Sequence, residues 1–87
     1  MNLNQTIERI YGLERKLRLG RNVESGLEIV HLLESIVPDI ALKEPSIQRE
    51  YQSILEQILQ NQQKGDWLAV ADYLAYELIH FLKQRFD

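Results

Sequence analysis

The chain has 87 residues, 45% of them hydrophobic and 26% charged, with a formal net charge of -3 and no cysteine. That length fits one globular domain able to bury about 60 to 65% of its unfolded surface, in a composition too apolar for a disordered chain. The acidic balance argues against a nucleic-acid or anionic-membrane binder, and the missing cysteines exclude disulfides and thiolate chemistry and suit a cytoplasmic setting.

The N-terminal stretch MNLNQTIERIYG has no charged-then-apolar signal pattern, and no apolar run in the chain approaches the roughly 18 residues of a membrane span. A soluble, intracellular protein is expected. Leu3, Ile7, Ile10, Leu13 and Leu17, with Tyr11, recur at helical spacing. They predict a first helix capped near Asn4 or Thr6, running to about Leu19 and ended by Gly20. Glu14 interrupts its apolar face, either as a boundary carboxylate turned outward or as a buried functional acid. Arg15, Lys16, Arg18 and Arg21 crowd the helix end but scatter around its circumference. That distribution reads as a solvated, dipole-matched terminus rather than an aligned phosphate-binding patch.

Asn22 is positioned to cap a second helix whose main stripe is Val23, Gly26, Leu27, Val30, Leu33 and Val37, with Pro38 stopping or kinking it. Ile29, Leu32 and Ile36 add a second flank, so this helix is apolar over more than half its circumference. Packing on one side does not require that much. The segment 38–45, PDIALKEP, is bracketed by prolines and reads as a connector. Ser46 then caps a third helix that turns Ile47, Tyr51, Ile54, Leu55, Ile58 and Leu59 to the core and trails into the polar QNQQK before Gly65.

The last stretch, DWLAVADYLAYELIHFLKQRF, carries the most apolar surface. Asp66 is its expected cap. Trp67, Val70, Ala71, Leu74, Leu78, Phe81 and Leu82 share one face, widened by Leu68, Ala75, Ile79 and Phe86. Tyr73, Tyr76, Glu77 and His80 fall together on the other side, at i, i+3, i+4 and i+7. Four helices joined by a tight turn, a longer connector and another tight turn predict an all-α, antiparallel four-helix bundle built of two hairpins, 1–42 and 46–87, as a single domain.

A faint internal echo links GRNVESGLEIVHLLESIVP from Gly20 and GDWLAVADYLAYELIHFL from Gly65, each reading turn, cap, apolar residue, helix. The hairpin wording is locally similar to tetratricopeptide repeats, which implies stacked hairpins as the alternative architecture; the spacing of 44 residues from Asn22 to Asp66 departs from that family's 34. The C-terminal GDWLAVADYLAYEL also resembles the ending of small bacterial helical-bundle domains. That resemblance implies no activity.

Glu28-x-x-His31 and Glu77-x-x-His80 lie on the second and fourth helices, with Glu8 or Glu14 and Glu50 or Glu56 on the others. Ferritin-like di-metal carboxylate bundles use that order with all ligands inward. Here the helical wheel turns both pairs away from the apolar faces, so neither a metal nor another cofactor is expected. No serine is tied to a base and the glycines form no phosphate-cradling loop, so no intrinsic catalysis is expected either. What remains is a surplus of apolar and aromatic surface. It predicts a small protein–protein interaction module, self-associating as a homodimer, with Tyr73, Tyr76, His80, Ile29, Leu32 and Ile36 as the interface. The alternatives are an export-chaperone or adaptor bundle that receives a partner's amphipathic helix and, less in keeping with the wheel, the di-metal bundle.

Overall fold

The structure, a computed structural model, describes residues 1–86. Its elements are α1 (Leu3–Arg18), α2 (Asn22–Ile40), α3 (Pro45–Gln63) and a fourth helix made of three continuous segments. These are α4 (Trp67–Asp72), a π-helical stretch (Tyr73–Leu78) and α5 (Ile79–Arg85). Among the described residues there is no strand.

Helix ends follow local chemistry, with shifts from expectation. Asn2 rather than Asn4 or Thr6 caps α1, its Oδ1 accepting from the Gln5 N–H at 3.0 Å. Gly20 and Gly65 have φ of +82° and +74°, a region that costs residues with a Cβ. Each permits the same C-terminal closure. Arg21 N–H reaches the Lys16 carbonyl at 2.9 Å and Asp66 N–H the Asn61 carbonyl at 2.9 Å. Asp66 caps the fourth helix as expected, accepting from Ala69 N–H at 3.1 Å.

Three local expectations are corrected. Asn22 begins α2 from inside the helix, and its side-chain oxygen makes no capping bond. Pro38 does not stop α2, which continues to Ile40; it stands in the final turn, where the Glu34 carbonyl it cannot engage belongs to an exposed residue. The connector therefore shrinks to residues 41–44, and Pro45, not Ser46, opens α3 as its first residue. Gln48 closes that connector by donating to the carbonyls of Ala41 and Lys43 at 3.2 and 3.0 Å.

α1 packs on α2 and on the fourth helix, and α3 on the fourth helix and on α2, so α1 and α3 lie diagonally, as do α2 and the fourth helix. This closed ring is a four-helix bundle rather than an open stack of hairpins. The fourth helix supplies most to the core, with Val70, Ala71, Leu74, Leu78, Ile79, Phe81 and Leu82 all buried. Ile10, Leu13 and Leu17 meet it from α1, and Tyr51 and Ile58 from α3.

On α2 the inward face is turned from the expected one: Gly26 and Leu33 of the expected stripe are buried and Val30 is half-buried, but the rest of it faces water. Ile29, Leu32 and Ile36 are fully buried, together with Leu33 and Ile40, while Val23 is 94%, Leu27 63% and Val37 47% exposed. The inward stripe is the one with the longer side chains. Each isoleucine or leucine fully buried contributes about 1.5 to 3 kcal/mol, and valine sits at the low end of that range. Gly26 suits this rotation, because its missing side chain leaves room for Gln62 and for the Trp67 ring; a Cβ there would lie 3.1 Å from Gln62 Nε2.

Candidate functional site

Between α1 and the fourth helix runs an open groove of about 650 Å³. Tyr11 and Glu14 form one wall, and Tyr76, Glu77, His80 and Lys83 the other. The π-helical stretch builds the second wall. Its wide turn carries about one residue more than an α-helical turn, which sets back everything after it. Ile79, on the margin of the apolar face in a uniform helix, is thereby drawn into the core, and His80 stands out opposite. Tyr76 is left 65% exposed and Tyr11 39%.

One end of the groove is tied by charge. The Glu14 side chain, mostly buried, accepts from Arg18 Nε and Nη2 at 3.0 and 2.9 Å, and Arg18 Nη2 also reaches Asp72 at 2.9 Å. Asp72 first, and then Glu14, hold the guanidinium still above its ordinary value, so it is a fixed cation. Of the two readings of Glu14, the structure supports the partnered boundary carboxylate.

Of the expected interface residues, Tyr76 and His80 come together in this groove. Tyr73, the first residue of the π-helical stretch, does not join them and is half-buried and packed on the core. Ile29, Leu32 and Ile36 are core residues of α2 and offer no surface, because the bundle turns that stripe inward. Tyr11 and Lys83 were not anticipated. The sequence signal for Tyr11 was its place about 100° from Ile10, at the edge of the α1 stripe on the side of Glu14.

The two Glu-x-x-His pairs stay apart. Glu28 is bound by Lys16 at 2.8 Å, His31, Glu77 and His80 are exposed, and the pairs sit on diagonal helices. Among the described residues no three His, Cys, Asp or Glu side chains are grouped to hold a metal, and no helix is long and apolar enough to cross a membrane. No family model, curated protein or solved structure matches this chain.

Proposed function

We propose that this chain is a small helical protein–protein interaction module that self-associates through the groove between α1 and the fourth helix. The observation that carries the reading is Tyr76, 65% exposed on the π-helical stretch of a small bundle, with Tyr11 facing it across the groove. Tyrosine offers a large, stiff, amphipathic contact at low entropy cost and is enriched among binding hot spots.

Charge supports a symmetric pairing. Glu77 and Lys83 are both exposed on the same wall, so a two-fold axis near His80 sets Lys83 of one copy toward Glu77 of the other. A surface bearing both signs is self-complementary in this way. The groove is read as a contact surface without catalysis, since Glu14, its least exposed acid, is already held by Arg18.

Light scattering behind a sizing column tests this. Wild type is expected at twice the 10.3 kDa chain mass, and Tyr76→Glu at the single mass with unchanged helicity, because the side chain it replaces faces water in the free chain. A wild-type monomer at concentrations on the order of 100 µM, or a Tyr76→Glu dimer, would contradict the assignment.

A further inference from the structure

On the opposite side of the bundle, the positions of α2 left outside the core follow a rule of their own. Val23, Leu27, Val30, Glu34 and Val37 alternate four and three residues apart, the spacing of a seam that packs against another helix. Across from them Gln48, Gln52, Leu55, Leu59 and Gln62 repeat the same alternation along α3. The two rows border a shallow groove with two hollows. One, of about 240 Å³, lies between Val37 and Ile40 of α2 and Gln52 and Leu55 of α3. The other, of about 470 Å³, lies between α3 and the start of the fourth helix, at Leu59, Gln62, Gln63 and Trp67, beside Gly26 of α2, whose carbonyl accepts from Gln62 at 3.3 Å.

We propose that this α2–α3 groove docks the apolar face of a basic amphipathic helix from a partner protein. Val23, Leu27, Val30 and Val37, with Leu55 and Leu59, call for an apolar stripe, as in helix-in-groove recognition. Charge selects the flanks: Glu24 and Glu34 stand exposed on α2, which has no lysine or arginine, and Glu56 stands exposed on α3 with Arg49 as the only exposed cation of that helix. A second copy of this face would instead bring Glu24 and Glu34 against like charges. The inference is independent of the self-association proposed above, since the two grooves occupy opposite sides of the bundle.

The test uses a labelled synthetic peptide of about 18 residues, long enough at 1.5 Å per residue to span the row from Val23 to Val37. It has leucine at the seam positions and lysine on the flanks, and a twin carries glutamate for lysine. Measured against the Tyr76→Glu protein by anisotropy and circular dichroism, the lysine peptide is expected to bind saturably in the micromolar range and gain helicity. The twin should bind at least about tenfold more weakly. Leu27→Lys, at an exposed position that leaves the melting curve in place, should weaken the lysine peptide at least about tenfold, and Glu34→Gln several-fold. Absent binding, equal binding of the twins, or indifference to Leu27→Lys would each overturn the proposal. So would a dimer of the Tyr76→Glu protein that Leu27→Lys dissolves, which would assign the groove to a second copy.

Discussion

Tyr51 joins packing and polarity in one side chain. It is buried against Phe81, with ring centroids 5.8 Å apart, and its hydroxyl donates to the Leu33 carbonyl at 2.8 Å. Burial pushes its phenol well above the ordinary value of 10.0. The neutral form is therefore protected only in the folded chain, while the unfolded chain ionises near pH 10. The resulting stability is fully present below that pH and is lost as the pH rises from there toward the elevated folded value, by about 1.4 kcal/mol per pH unit. Tyr51→Phe should cost about 1 kcal/mol near neutrality through the lost hydrogen bond, and it should flatten the decline above pH 10. Urea unfolding of both proteins across pH 7 to 11 measures this; an equally steep decline in the phenylalanine variant would place the alkaline loss elsewhere.

At the scale of the element, the π-helical stretch makes neighbouring residues behave in opposite ways. Ile79→Glu should unfold or nearly unfold the domain, since a carboxylate placed in the core costs about 3 kcal/mol or more, whereas His80→Glu should stay within about 0.5 kcal/mol of wild type. Thermal melts compare them, and a folded, stable Ile79→Glu would mean that the helix is α-helical throughout. Nothing in YLAYEL announces the wide turn, because no proline or glycine marks it and the apolar residues fit either register. The four helices, both glycine turns and the Asp66 cap were legible because each rests on local rules of periodicity and φ. Tyr76 and His80 were legible as outward residues because every register leaves them opposite Leu78 and Leu82. The facing of α2 was not legible: it carries two apolar stripes, and the adopted one suits the meeting of Gly26 with Gln62 and Trp67, contacts 36 or more residues away in sequence. Glu14 and its partner Arg18 stand at i, i+4, but the second acceptor of that guanidinium, Asp72, sits on another helix and no spacing rule points to it.

For the whole molecule, the surplus of apolar side chains inferred from the sequence exists, but on other residues. Val23, Leu27 and Val37 face water along with Leu19, Leu42 and Leu68, and the aromatic contribution comes from Tyr76 and Tyr11 on the far side. The two grooves differ in electrostatic character. That between α1 and the fourth helix holds both signs, as the proposed self-association requires, while the α2–α3 face carries exposed Glu24, Glu34 and Glu56 beside the single cation Arg49. A chain of this size is modestly stable alone, so the association proposed for the first groove would register in the unfolding equilibrium. Anything that binds only the folded state raises stability by mass action. The thermal midpoint of wild type is therefore expected to climb as protein concentration is raised about a hundredfold. The Tyr76→Glu midpoint should stay fixed at the value wild type approaches on dilution, because the substitution removes the partner and leaves the monomer core untouched. Parallel concentration dependence in both proteins would mean that the dimer forms without Tyr76, and a fixed wild-type midpoint would mean that the folded chain is complete as a monomer.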